Sequence, residues 1–322
     1  MMINEEIRPD GSDRQFCRII WSGRPAVEII PGPAGGIQEA SSFFYIGKHL
    51  LSKGVPAPEI FSFEKDTGRL IVEDLGHTRF YEKVVTLLNH KNYTELLEAY
   101  RQGIDILCHM QVLGRQDFDT SWCWQEPVYD ARLALEKECF YFLNAFLLDY
   151  LGFKGPCQGL EHELQGLAAM VDDVAGETYF LHRDFQSRNI MIKNGQMKII
   201  DFQAGRLGPR GYDLAAFLHD PYPNIPWEMR MELFDYYCAK MKELDENFSR
   251  QVFELQFHLL SILRLLQALG AYGFLIGTRQ KDFFRPFIRP ALSSLQQLVD
   301  SWHETRCRDL SLCVHQLLAG LG

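Results

Sequence analysis

No CxxC pair occurs among the eight cysteines, at 17, 108, 123, 139, 157, 238, 307 and 313, and their spacing has no metal-ligand rhythm. A zinc ribbon or a paired redox motif is thereby excluded. The opening MMINEEIRPDGSD carries no secretory signal, so the thiols are expected to be reduced, cytoplasmic, and packed as small apolar side chains. Cys123, between Trp122 and Trp124, is expected to be packed rather than reactive. The chain also has no long Lys/Arg run and a formal net charge of −9, which leaves no basic face for nucleic acid. An uninterrupted apolar run of membrane length is missing too. Residues 255–276 come nearest, but Gln256, His258, Arg264 and Gln267 break them. A buried helix is expected there, and no membrane partner.

What is present is ordinary in amount and specific in order. The 322 residues, 47% hydrophobic and 23% charged, suffice for two lobes with packed cores. The most informative stretch is HRDFQSRNIMIKNGQMKIIDFQ, residues 182–203. Two apolar runs, 190–192 and 197–200, bracket Asn194-Gly195, a dipeptide that tolerates the positive φ angles of a tight hairpin turn. A hairpin centred there sets Asn189 across from Ile200, with Asp201 just beyond, so two oxygen-bearing side chains reach one end of the ribbon. Phosphoryl transfer needs an aligned nucleophile and positive charge on the phosphate oxygens, usually supplied by Mg²⁺. That ion takes hard oxygen ligands and only one or two protein carboxylates. Asn189 and Asp201 are therefore the candidate metal ligands. Asp184, earlier in the loop, is the candidate base that accepts a proton from a substrate hydroxyl. His-Arg-Asp or Asp-Phe alone would be weak evidence; the joint pattern is specific.

Residues 16–21 and 26–30 read as strands joined by a turn at Ser22-Gly23-Arg24-Pro25, and 38–53 as a helix closed by Gly54. A second strand pair, 60–64 and 69–73, is followed by Glu73-Asp74-Leu75-Gly76. A boundary there divides a small β-rich lobe, 1–76, from a larger helical one, 77–322. Residues 93–113 and 131–151 have helical apolar spacing, and the last third, 228–322, reads as amphipathic helices. The aromatic set of 131–151 is expected to pack in the core.

The catalytic segment, with Tyr212-Asp213-Leu214-Ala215 after it, resembles the aminoglycoside phosphotransferase and choline kinase branch of the protein-kinase-like fold. Within that branch the chain is most similar to the bacterial cell-wall amino-sugar kinases, which phosphorylate the anomeric hydroxyl of N-acetylmuramate and N-acetylglucosamine. DGSDRQFCR at 10–18, VEDLG at 72–76, HRDFQSRNIMI with IDFQAGRLGPRGYDLA, and RLLQALGAYGF at 264–274 carry the resemblance. It implies an α+β, bilobal fold, a cytoplasmic kinase using ATP and Mg²⁺, and a sugar acceptor. Aminoglycoside, choline or homoserine acceptors are the alternative, and a nucleotide-binding scaffold without turnover is a third. The resemblance makes residues 73–76 the hinge that holds adenine, so Glu73, Asp74 and Leu75 are nucleotide candidates. Gly11, Ser12 and Arg14 belong to a candidate phosphate cover.

One departure is chemical. The strand at 26–30 carries Glu28 where kinase-like folds usually have a phosphate-holding Lys. Arg14 or Arg18 is expected to supply the charge instead, since a guanidinium pairs well with phosphate oxygens. His182 and Asp213 are expected to support the loop by hydrogen bonding. Gln186 stands where the amino-sugar kinases often show His. Arg183 and Arg188 face a phosphate, a substrate carboxylate, or a structural acid. Arg264, three residues before Gln267 on an otherwise apolar helix, is either a wall of the acceptor pocket or a buried partner to an acid.

Overall fold

The computed structural model describes residues 5–7, 13–33, 35–153, 157–174, 176–302 and 307–320. The candidates Gly11 and Ser12 lie outside the described residues. The chain forms two compact units, Met1–Val128 with Tyr179–Leu207, and Tyr129–Thr178 with Gly208–Gly322. Packing thus groups residues 182–203 with the amino-terminal sheet, whereas the division at 73–76 follows chain order.

The first unit is built on an antiparallel sheet of order β1-β2-β3-β5-β4, from β1 (Glu5–Ile7), β2 (Gln15–Trp21), β3 (Arg24–Ile30), β4 (Ile60–Glu64) and β5 (Arg69–Glu73). The last two strands fall at the expected residues, on either side of the turn Lys65-Asp66-Thr67-Gly68. The β2–β3 turn is tighter than expected. Ser22 and Gly23 have φ of 48° and 80° and Trp21 already pairs with Arg24, a two-residue turn whose twist matches its strands. Pro25 is tolerated inside β3 because pairing with β5 begins only at Ala26, so no ladder donor is missing.

Helix α1 (Gly36–Ser52) buries Phe43, Ile46 and Leu50. A Cβ on Gly47 would meet Ile60 at 2.8 Å and the Phe202 ring at 3.0 Å, so only glycine admits that ring. Phe202, fully buried, stacks on Phe43 at 4.6 Å between centroids. Burying such a side chain contributes about 2 kcal/mol, and it fixes the backbone next to Asp201. Helices α2 (Phe80–Asn89) and α3 (Tyr93–Gly114) complete the unit. Cys123 donates to the Gly205 carbonyl, and burial pushes its thiol up to about 11; it is packed, as expected.

The second unit is helical. The expected single helix at 131–151 is instead a short α4 (Ala131–Ala134) leading into π turns at Leu135–Cys139 and Phe142–Tyr150. These run along α8 (Arg250–Gly277), and such wider turns reflect packing that apolar periodicity does not encode. Phe142 and Phe146 are fully buried in the core, whereas Phe140, Tyr141 and Tyr150 are half-buried. Glu138, also buried, accepts bonds from the hydroxyls of Tyr129 at 2.5 Å and Tyr212 at 2.6 Å. Helix α8 is long and apolar enough to cross a membrane, yet 78% of its most apolar window is buried against protein. Helices α5 (Cys157–Val174), α6 (Gly211–Leu218), α7 (Trp227–Leu244) and α9 (Ile288–Ser301) pack against it, and α10 (Arg308–Gly320) packs on α5 and α9.

Candidate active site

The hairpin between Asn189 and Asp201 has the register read from its turn. After β6 (Tyr179–Leu181) come β7 (Ile190–Lys193) and β8 (Gln196–Ile199), in which Ile190 pairs with Ile199 and Lys193 with Gln196. Asn194 and Gly195, at φ 53° and 78°, make the turn. The Ile200 N–H donates to the Asn189 carbonyl at 2.9 Å, which puts Asn189 opposite Ile200 with Asp201 next. Asp201 is left-handed, φ 68° and ψ 31°, and so is Arg183, φ 74°. Each such conformation costs about 1–3 kcal/mol in a non-glycine residue. His182 helps to hold both: its Nε2–H donates to the Ile200 carbonyl at 2.9 Å, and its Nδ1 accepts from the Asp184 N–H at 3.3 Å. Those partners fix the tautomer, and burial pushes the ring's pKa down, so His182 is neutral at pH 7.

Asn189 joins the candidate base to the candidate metal pair. Its Nδ2 donates to the Asp184 carbonyl at 2.9 Å and to Asp184 Oδ2 at 3.1 Å. Since both partners are acceptors, the nitrogen is assigned, and Asn189 Oδ1 is left without a hydrogen bond among the described residues. Gln186 Nε2 donates to the same Asp184 Oδ2 at 3.2 Å. Asp201 Oδ1 accepts from Arg14 Nη2 at 2.6 Å and Gln203 Nε2 at 2.9 Å, and among the described residues its Oδ2 has no hydrogen bond. The side chain is 36% exposed. One carboxylate oxygen and one carboxamide oxygen fit an ion that keeps most of its waters, as Mg²⁺ does. Among the described residues no group of three His, Cys, Asp or Glu side chains could hold a metal.

Around Asp201 lies a network that the sequence did not reveal. Arg14 Nε is 3.7 Å from Glu39 on α1, and Gln203 Nε2 also donates to Glu39 Oε1 at 3.1 Å. Burial alone would raise the Asp201 pKa, but the Arg14 guanidinium and the Gln203 amide outweigh it and hold the carboxyl below its ordinary value. Arg18 is engaged elsewhere: Nε donates to Asp74 Oδ2 at 3.0 Å and Nη2 to the Gly76 carbonyl at 2.9 Å. Glu28 is neutralised by Arg69, so its strand position offers no cation.

The other candidates are dispersed. Glu73 accepts from Lys193 at 2.8 Å and Lys198 at 2.6 Å, Asp74 from Arg18, and Leu75 is buried. The charged side chains of this segment are thus paired within the protein. Arg188 lies over the Tyr81 ring, 5.2 Å from the centroid. Asp213, fully buried in the first turn of α6, and Arg264, 9% exposed on α8 and donating to Gln267, belong to the second unit.

A profile of the APH phosphotransferase enzyme family matches residues 5–246. The chain belongs to that family. It is 24% identical to the N-acetylmuramate/N-acetylglucosamine kinase of Neisseria meningitidis serogroup B over 294 residues, covering 90% of this chain and 83% of that one. Its fold is similar to that of choline kinase LicA from Streptococcus pneumoniae, with a TM-score of 0.62 at 11% identity, over 91% and 92% of the two chains. A thermostable mutant of aminoglycoside phosphotransferase APH(4)-Ia gives 0.57 at 15% identity, over 94% and 95%. The fold is thus α+β and protein-kinase-like, and this phosphotransferase is an enzyme acting on a hydroxyl of a small molecule.

Of the residues that sequence reasoning missed, Gln203 follows Asp-Phe directly and Glu39 opens the helix after the β2–β3 hairpin. Neither position carried a local signal, since Glu39 is flanked by Gln38 and Ala40 and Gln203 by Phe202 and Ala204.

Proposed function

We propose that this phosphotransferase is a cytoplasmic, ATP- and Mg²⁺-dependent kinase acting on the anomeric hydroxyl of N-acetylmuramate or N-acetylglucosamine. The observation that carries the reading is the double role of Asn189. Its amide nitrogen locks the Asp184 carboxylate, which leaves its oxygen, with that of Asp201, for a metal. Asp184, oriented by Asn189 and Gln186, takes the proton of the acceptor hydroxyl as that oxygen bonds to the γ-phosphorus of ATP and the bond to the β,γ-bridging oxygen breaks, releasing ADP. Bound Mg²⁺ would neutralise phosphate charge from Asn189 and Asp201. Arg14, already at Asp201, takes the place of the strand Lys, and Arg18 braces the segment at 73–76. That segment holds adenine through its backbone, between an amino-terminal part, 1–76, and the catalytic and acceptor-binding part, 77–322. Arg188 and Arg264 contact the acceptor, and His182 and Asp213 support the loop.

The acceptor class rests on the likeness to kinases named for those two sugars over most of the chain. ADP release with N-acetylmuramate, N-acetylglucosamine, kanamycin, choline and homoserine tests it. Turnover is expected with one or both amino sugars. Activity confined to kanamycin, choline or homoserine would overturn the assignment.

A further inference from the structure

Glu73 ends β5 and opens the segment assigned above to the adenine, yet its carboxylate is given over to the catalytic hairpin. Lys193 Nζ, on β7, donates to Glu73 Oε1 at 2.8 Å, and Lys198 Nζ, on β8, donates to Oε2 at 2.6 Å. Lys193 also donates to the Asp74 carbonyl at 2.8 Å, and the Glu59 N–H reaches Oε2 at 3.2 Å. The register pairs Met191 with Lys198 and Lys193 with Gln196, so both lysines project from one face of the ribbon. Burial would raise the Glu73 carboxyl pKa, but the two ammonium groups bring it down to about 2, so the bridge stays charged at any working pH.

Two ammonium groups on one carboxylate, its side chain 13% exposed, are more than the ribbon needs to fold. Its backbone is anchored independently, by Ile192 N–H to the Thr78 carbonyl and Ile199 N–H to the Pro56 carbonyl, both at 2.8 Å. What the lysines add is a tie to residues 73 and 74. Those residues are braced in turn by Arg18 and by the Gly76 N–H, which donates to Asp74 Oδ1 at 2.8 Å. Asn189 and Asp201 stand just beyond the open end of the same ribbon.

We propose that Lys193, Lys198 and Glu73 are positioning residues that couple residues 73–76 to the metal-binding end of the hairpin, so that nucleotide and divalent ion bind cooperatively. The inference rests on the proposed function, in which ATP occupies 73–76 and the ion binds Asn189 and Asp201. Occupancy of the segment holds Glu73 and Asp74 in place; the lysines then hold the ribbon, and the ribbon presents its two oxygens.

The test is ATP affinity, by calorimetry on the full chain without acceptor, in EDTA and in saturating Mg²⁺. The ratio of the two dissociation constants reads the coupling. In a Lys193→Met/Lys198→Met variant the ratio is expected to fall by about tenfold, within the usual range for coupled sites, with affinity in EDTA unchanged. Arg at both positions should restore it. Glu73→Gln, which keeps the side chain's shape, should lower it in the same direction and carries the test if the double variant does not fold. A normal wild-type ratio with the same ratio in the variants overturns the coupling alone. A wild type that binds no ATP, or binds it equally with and without Mg²⁺, overturns the coupling together with the reading on which it rests.

Discussion

Replacing Asp184 by Asn is expected to lower kcat by about 10²- to 10⁴-fold, the range that positioned proton transfer contributes, while ATP affinity stays at the wild-type value. The substitution is nearly isosteric, and an Asn carbonyl oxygen still accepts the bonds that Asn189 and Gln186 donate to Oδ2. What it cannot do is take a proton from an acceptor hydroxyl. Loss of turnover with binding intact therefore isolates the chemical role of the side chain from its part in the loop. Calorimetry with a non-hydrolysable ATP analogue and a steady-state ADP assay separate the two. A variant that turns over at the wild-type rate removes Asp184 from the reaction.

Arg14→Met is the second large effect. The guanidinium is bonded to Asp201 at 2.6 Å and faces Glu39. Without it two carboxylates share one Gln203 amide with no cation from Arg14 beside them. Hydrogen bonds to charged groups are worth about 1.5–3 kcal/mol, so ATP affinity should fall by about 10- to 100-fold. Arg18→Met should have a smaller effect on ATP, since Arg18 is committed to Asp74 and the Gly76 carbonyl. Equal affinity in wild type and Arg14→Met would leave the missing strand Lys without a replacement at this position.

The parts of the fold legible in the sequence are those set by short-range chemistry. Asn194-Gly195 fixed the hairpin register to the residue, and with it the adjacency of Asn189 and Asp201. Strands β4 and β5 were legible as short apolar runs around the turn Lys65-Asp66-Thr67-Gly68. The π turns of residues 135–150 did not, because they arise from packing along α8, which a 3.6-residue period does not report. Edge strand β1 is only three residues long, too short for any pattern. The charge networks were illegible for another reason. Gln203 meets Glu39 across 164 residues of chain, and Lys193 meets Glu73 across 120. Read locally, all four are polar side chains of an ordinary solvated face.

Phosphorus NMR of a reaction with N-acetylglucosamine, ATP and Mg²⁺ tests the central claim most directly. The account predicts a sugar phosphate whose phosphorus couples to the anomeric proton, formed as ATP is converted to ADP. Phosphate on any other hydroxyl, or ADP accumulating with inorganic phosphate and no sugar phosphate, would contradict it.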